Sequence, residues 1–326
     1  MKILVVGATG QLGTAICQKL PHEKYQLFAM HRDGSNTKSL QDLPNTTLLK
    51  ADLQDKNSLL NAVKGMDVVI CTANSASPRR KEDNFKNVDI NGIKDLIEAS
   101  ERSDVKQFIY TSSIEYGSQT NAIPLSNAKR AIEAALQTSS LNYTIIRPCT
   151  FMDVYFPFFG TDIPIKNAAN ATIKRPFKFS ANFFEGIKHD IENKGKFNVI
   201  GKGDRRHSYI CVDDVAEFHI KSIGHSSAEK SIITIGGPEA LTPLEIKDIF
   251  EKLLDKPLKI SSTPPFVIKL MGQVLSLFNP PAGNIMKLNH LSAMNDCIVK
   301  DAEDTAATFD VKLTEAEVFL KNAINR

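Results

Sequence analysis

The sequence predicts an α/β protein, a doubly wound parallel sheet with a smaller, partly helical C-terminal region. Three observations carry this prediction. The chain opens with an apolar, β-branched run followed at once by Gly7, Gly10 and Gly13, in "KILVVGATGQLG". Strand-like and helix-like segments then alternate as far as Pro148, the pattern of parallel strands joined by crossover helices. Beyond Pro148 that rhythm gives way to a stretch rich in aromatics, proline and amides.

Residues 3–6 form a continuous apolar run, as suits a strand buried on both faces. Ala15, Ile16 and Leu20 follow at helical spacing, and Pro21 ends that helix. "YQLFAM" from Tyr25, "TTLLKADL" from Thr46 and "DVVICTA" from Asp67 read as the next three strands. Between the last two, "KNSLLNAVKG" is helical and closes at Gly65. Residues 85–101 form a longer helix with Val88, Ile93, Leu96 and Ile97 as its apolar stripe. "VKQFIYTSS" is a fifth strand, "SNAKRAIEAALQTS" a helix of good formers, and "YTIIRP" a sixth strand stopped by Pro148. Parallel connections of this kind are right-handed.

The aromatic run 151–159 serves either as a wall of the substrate space or as ordinary core. "GKFNVIGKGDRRHSYICVDDVAEFHIKSI" reads as strand, turn, strand, helix, with Asp213 or Asp214 capping the helix, and "KSIITIGG" as another strand. In "TPLEIKDIFEKLL", Thr242 caps, Pro243 takes the first helical position and Glu245 closes a capping box. Thr314 and Glu317 repeat that arrangement before the last helix. "FVIKLMGQVLSLF" is too short to span a bilayer and suits a packed helix or one lying on a membrane surface, with core or dimer contact favoured. The domain expectation is a nucleotide-binding unit over 1–150, to which 205–235 return, and a substrate-side region over 151–204 and 236–326.

Composition narrows the classes. At 326 residues with 42% apolar and 24% charged residues, the chain has the balance of a soluble globular protein. A formal net charge of +3, with no long run of like charge, excludes nucleic acid as the expected partner. The basic spot at residues 79–81 is followed at once by acids and reads as a solvated loop. Cys17, Cys71, Cys149, Cys211 and Cys297 form no C-x-x-C pair and suit buried thiols in a reducing, cytoplasmic compartment. No secretory signal precedes the first strand, and no window is long and apolar enough for a membrane span. His189, His207, His219 and His225 show no metal-ligand spacing, and no G-x-S-x-G elbow is present, so neither a metal centre nor a hydrolase is expected.

Strand, glycine turn and helix together are what a dinucleotide fingerprint requires. A turn glycine permits a sharp reversal, a middle one admits the pyrophosphate, and a last one lets helix and strand pack closely, while the helix N-terminus faces the phosphates. The G-x-x-G-x-x-G spacing resembles the extended and atypical short-chain dehydrogenase/reductases, and within them the NmrA-like and isoflavone-reductase-like group, over at least residues 1–220. The resemblance implies a Rossmann fold and an NAD(P) site. On it, Gly7, Thr9, Gly10, Gln11, Leu12 and Gly13 cradle the pyrophosphate. Asp52 and Leu53 in "ADLQD" meet the adenine, and Thr72, Ala73 and Asn74 in "CTAN" run under the nicotinamide ribose.

Cofactor choice turns on the end of the second strand, "MHRDG". A carboxylate there selects NAD by accepting from the ribose diol. This chain has Arg32, whose fork suits a 2′-phosphate, with His31 as a second contact. NADP is therefore expected over NAD, although Asp33 keeps NAD open.

Carbonyl reductases of the superfamily pair a tyrosine with a lysine four residues on, one helical turn away. Lys129 stands at the lysine position, but Leu125 stands where the tyrosine belongs. Ser113 or Ser112 matches the serine position, and Tyr116 is the nearby phenol. Two readings follow. In one, the protein is an NADP-dependent reductase of a small apolar or aromatic molecule, with Lys129 holding the ribose and the proton coming from Lys129, from Tyr116 or from water held by Ser113. In the other it is a non-catalytic NADP-binding sensor, regulator or assembly protein. Phe151, Tyr155, Arg206, His207 and Tyr209 are the substrate-side candidates. A homodimer or a regulatory protein partner stays open.

Overall fold

The computed structural model describes residues 1–78, 80, 82–115, 123–174 and 178–325. Its strands are β1 (Lys2–Val6), β2 (Gln26–His31), β3 (Thr46–Lys50), β4 (Val68–Cys71), β5 (Gln107–Thr111), β6 (Tyr143–Pro148), β7 (Lys196–Ile200), β8 (Ser231–Ile235) and β9 (Lys259–Thr263). The helices of the first part are α1 (Gln11–Lys19), α2 (Lys38–Gln41), α3 (Lys56–Val63), α4 (Ile93–Arg102) and α5 (Pro124–Thr138). They are followed by α6 (Met152–Tyr155), α7 (Lys178–Ile187), α8 (Asp190–Lys194), α9 (Val212–Lys221) and α10 (Pro243–Leu254). The last are α11 (Pro265–Phe278), α12 (Pro280–Met294), α13 (Ala302–Thr308) and α14 (Ala316–Ile324).

The main sheet is parallel, in the order β3-β2-β1-β4-β5-β6-β8. Helices cover both of its faces, which makes it the doubly wound Rossmann architecture. Alternate residues of β1 point to opposite sides: Ile3 and Val5 join α1, α9 and the end of α13, while Leu4 and Val6 join α3, α4 and α5. That two-sided burial explains the unbroken apolar runs. The strand order reverses between β1 and β4, and the crevice beyond the carboxyl ends of such strands is where this architecture binds ligands.

A third core lies over that edge. Phe156, Phe159, Phe197, Phe250 and Phe319 pack there with Met152, Ile246 and Leu320. The rings of Phe159 and Phe197 stack at 4.6 Å between centroids. The aromatic run therefore does both jobs, since Phe151, Tyr155 and Phe158 face the cleft.

Several local expectations are corrected. Residues 85–92 are π-helical before α4 begins, a wider turn often found at functional sites. The expected strand through 207–211 makes only isolated bridges, Phe151 with Ile210 and His207 with Leu241 and Cys297. β9, parallel to β7 in a separate two-stranded sheet, was not expected at all. The Thr242–Glu245 capping box forms as read. Asp213 and Asp214 lie inside the first turn of α9, where Cys211 is the cap residue. Asp214 instead accepts the N–H and hydroxyl of Thr314, at 2.7 and 2.8 Å. Thr314 is thereby diverted from capping, and the cap position of α14 falls to Glu315. All five cysteines are buried, and among the described residues none is joined in a disulfide.

Candidate active site

A cleft of about 440 Å³ opens at the β1/β4 crossover, a size usual for small-molecule sites. Its floor is the glycine turn. Gly7 has φ +87°, and a Cβ there would come within 2.8 Å of Thr72 Oγ1 and 2.9 Å of Ala73 N. A Cβ on Gly13 would lie 2.1 Å from Gly7 O, so only glycine lets α1 approach β1 this closely. Gly10 is the cap position of α1 and no side chain caps it. The first intrahelical donor is Thr14 N–H, bonded to Gly10 O at 2.9 Å. The turn thus presents a bare helix N-terminus, a ready anion site. Thr9, Gln11 and Leu12 line the same turn. Gln11 also accepts Thr172 N–H at 3.0 Å, which ties the segment after α6 over the turn.

At the far end, His31 and Arg32 leave β2 and line the cleft with Asp52 and Leu53. The Arg32 fork is engaged by Asp83, at 2.8 and 3.1 Å, and Arg80 pairs with Asp52. Gln54 also donates to Asp83, at 3.1 Å. Both carboxylates therefore meet arginines, and this end of the cleft is already balanced in charge. Asp33 is exposed and pairs with Lys50, turned away from this end. Arg79 and Lys81, beside Arg80 in sequence, lie outside the described residues.

Thr72, Ala73 and Asn74 follow β4 along the cleft towards Lys129. Lys129 is only 5% exposed. Its Nζ donates to Thr111 O at 2.7 Å and sits 4.8 Å from the centroid of the Tyr110 ring. Burial pushes its pKa down, and the nearby Asp89 charge opposes that. Asp89 comes from the π-helical turn and is itself buried. It accepts from the N–H and hydroxyl of Ser75. Burial raises its pKa to about 6, with Ser75 and Lys129 pulling the other way. Sequence reasoning missed Asp89, because the helical register expected across 85–101 hides what a π-turn presents.

Leu125 lines the cleft one turn before Lys129, so an aliphatic side chain occupies the tyrosine position. Its N–H donates to Asn284 Oδ1 at 3.3 Å. Asn284 is buried, lines the cleft, and has no acceptor for its Nδ2. Ser112 and Ser113 also line the cleft, and Arg130 donates to Ser112 Oγ at 3.0 Å and to Ser113 O. Tyr116 lies outside the described residues. Helix α12 closes the roof with Ile285, Leu288, Asn289 and Ser292, none of which the sequence motifs pointed to.

Phe151 and Tyr155 line the cleft near α12, and Ser292 Oγ donates to Tyr155 OH at 3.2 Å. His207 lies deeper, on a second chamber of about 180 Å³ that shares Tyr155, Phe158, Asn289 and Ser292 with the cleft. Its Nε2 bonds Ser292 O at 3.0 Å, and burial pushes its pKa down to about 4. Arg206 and Tyr209 line neither space. Arg206 pairs with Glu245 at 2.9 Å, and Tyr209 packs in the third core. Among the described residues, no group of three or more His, Cys, Asp or Glu side chains could hold a metal.

The family model described as NmrA-like matches residues 1–320. The chain belongs to the NmrA-like family. Within it, this NmrA-like chain is 26% identical to Photosystem II assembly factor Ycf39 of Trieres chinensis over 85% of its own length and 77% of that protein. Among solved structures, AtPrR2 with NADP+ and (+)pinoresinol matches with TM-score 0.72 at 19% identity, over 99% of this chain and 98% of that one. The Escherichia coli NADPH-dependent quinone oxidoreductase QOR2 complexed with NADPH matches with TM-score 0.70 at 18% identity, over 99% and 100%. At these identities the structural likeness shows a shared fold.

His219 illustrates a buried titratable group that serves the fold. Its Nδ1–H donates to Val215 O and its Nε2 accepts from Thr111 Oγ1, both at 2.7 Å. Burial lowers its pKa to about 4. A depressed histidine pKa gives stability that is full above the unfolded value of about 6.5 and is lost as pH falls towards 4, a loss of about 3 kcal/mol. The stability gap between the parent protein and His219→Asn, read from urea unfolding, should therefore shrink steadily between pH 7 and pH 4.5. A gap independent of pH would contradict the buried neutral ring.

Proposed function

We propose that this chain is an NADP(H)-dependent reductase of a small apolar or aromatic molecule, working without the usual catalytic tyrosine. The observation that carries the reading is Lys129. It is a buried lysine with a depressed pKa on the wall of a cleft whose floor is a dinucleotide turn, with a leucine one turn earlier. Solved relatives bound to NADPH and to NADP+ support the cofactor.

In this reading the bare N-terminus of α1, with Gly7, Thr9, Gly10, Gln11, Leu12 and Gly13, holds the pyrophosphate. Asp52 and Leu53 border the adenine. His31 and Arg32 take the 2′-phosphate, and Arg32 turns to it from Asp83. Thr72, Ala73 and Asn74 support the nicotinamide ribose. When bound, the nicotinamide would supply the hydride. Lys129 holds the ribose and delivers the proton, its lowered pKa making the ammonium a better acid. Ser113 positions water or substrate at the same end, and Tyr116 stands near it in sequence. Phe151, Tyr155 and Phe158 exclude water around the substrate. Residues 1–150 with 205–235 serve the cofactor, and 151–204 with 236–326 cover the substrate end.

Leu125 also favours a second reading, in which the chain binds NADP without turning it over and acts through a partner protein. The assembly-factor name of the Trieres relative supports that possibility.

Titration separates the cofactor claims. NADPH should bind at least about tenfold tighter than NADH, or about 1.4 kcal/mol. Arg32→Ala should erase most of that gap and spare NADH. Asp83→Asn frees the Arg32 fork and should tighten NADPH by about tenfold, the scale of a charge-assisted hydrogen bond. Equal affinities for the two cofactors in the parent protein would remove Arg32 from the assignment.

A further inference from the structure

Among the described residues, helix α11 leaves one face largely uncovered. Phe266, Leu270, Val274, Leu277 and Phe278 are all exposed, Leu277 at 77% and Phe278 at 84%. At 100° per residue these five fall within one arc of the helix, and exposed Lys269 flanks it. The opposite face is used inside the molecule: Ile268 and Met271 wall the second chamber, together with Met286 of α12. Large apolar side chains held in water on one continuous stripe mark an interaction site.

The charge of the chain segment that carries the stripe points to its occupant. From Lys256 to Asn295 the sequence contains no aspartate or glutamate, while Lys256, Lys259, Lys269 and Lys287 fall within it. Asp255 and Asp296 stand just outside. In a chain with nearly balanced acids and bases, 37 against 40, the whole α11–α12 hairpin is free of negative charge. An apolar helical face within an acid-free basic segment is the arrangement that lies in the headgroup layer of an anionic bilayer. A second copy of the chain fits less well. The 14-residue helix offers a face of about 21 Å by about 10 Å, or roughly 200 Å², against the roughly 800 Å² that a stable partner buries on each side. Nor can the hairpin cross the bilayer, since no described helix is long and apolar enough.

We propose that the exposed face of α11 docks this protein peripherally on an anionic lipid surface, with Phe266, Leu270, Val274, Leu277 and Phe278 inserted among the acyl chains and Lys269 at the headgroups. The proposal is independent of the reductase reading.

Flotation of the full chain tests it, with vesicles of phosphatidylcholine alone and of phosphatidylcholine mixed with phosphatidylglycerol. The parent protein should float with the mixed vesicles, stay behind with the neutral ones, and detach as salt is raised. The double variant Leu277→Ser, Phe278→Ser should lose binding at least about tenfold, on the scale of the transfer free energy of two large apolar side chains. Lys269→Glu, which keeps the apolar stripe, should weaken binding to the mixed vesicles. Thermal melts of both variants should match the parent, because all three positions are exposed. No flotation with the mixed vesicles, equal flotation with both kinds, or unchanged flotation of the double variant overturns the proposal. So does sedimentation showing a dimer that the double variant dissolves while no vesicle binds, which would assign the face to a second copy.

Discussion

Lys129→Met is expected to lower kcat at saturating NADPH by 10²–10⁴-fold, the usual worth of a positioned general acid. Methionine keeps the length of the side chain and removes its proton. The substitution also leaves Thr111 O without the 2.7 Å donor it now has, and an unmet buried acceptor costs about 1–3 kcal/mol. A thermal melt should therefore show a lower but cooperative transition, which separates lost folding from lost chemistry. A role confined to the ribose would show differently: NADPH binding would weaken and saturated turnover would survive. The parent protein supplies an independent check. Because the protonated lysine is the working form and burial lowers its pKa, kcat should fall at a lower pH on the alkaline side than an ordinary lysine would give. No change in either binding or kcat would make Lys129 a purely structural residue.

Gly13→Ala is expected to weaken NADPH binding by about 10²-fold or more, the scale on which about 1 Å of misplacement is felt at a reacting site. The new Cβ would stand 2.1 Å from Gly7 O and 2.9 Å from Ala8 Cα. Both are backbone atoms, so α1 must move off β1 and carry its N-terminus with it. Overpacking of this kind costs a further 1–3 kcal/mol or so of stability. Gly186→Ala is the control, since nothing lies within 4 Å of its added Cβ, and it should leave NADPH affinity unchanged. If Gly13→Ala binds NADPH as the parent does, the pyrophosphate does not sit on this turn.

The glycine-turn end of the cleft was legible because its parts are consecutive. Gly7 to Gly13 form one turn, and the residues after β2, β3 and β4 reach the cleft because parallel strands all end on the same side. What the sequence concealed came from distant segments. Arg32 was legible as a cation at the end of β2, but Asp83, which occupies its fork, arrives from the loop after β4. Asp89 escaped notice because a π-turn shifts the register of an otherwise ordinary amphipathic pattern. Asn284, Asn289 and Ser292 sit on α12, far along the chain, and no spacing rule links that helix to Lys129. The substrate candidates fared unevenly for a related reason. Phe151 and Tyr155 directly follow β6 and reach the cleft, whereas Arg206 and Tyr209 belong to a segment that bridges rather than forms a strand, and its side chains are used by Glu245 and the third core. Capping signals were reliable for α10 and misleading for α14, where Asp214 claims Thr314.

A hydride passed from NADPH in this cleft to a small apolar acceptor can be followed by its isotope. The most direct measurement is mass spectrometry of acceptors incubated with the protein and 4-deuterated NADPH, across quinones, enones and aromatic ethers, with Gly13→Ala run in parallel. If the protein is a reductase of this kind, deuterium appears in at least one reduced product with the parent protein and none appears above background with the variant. Tight NADPH binding with no deuterium in any product would contradict that reading and leave the chain a cofactor-binding protein that acts through a partner.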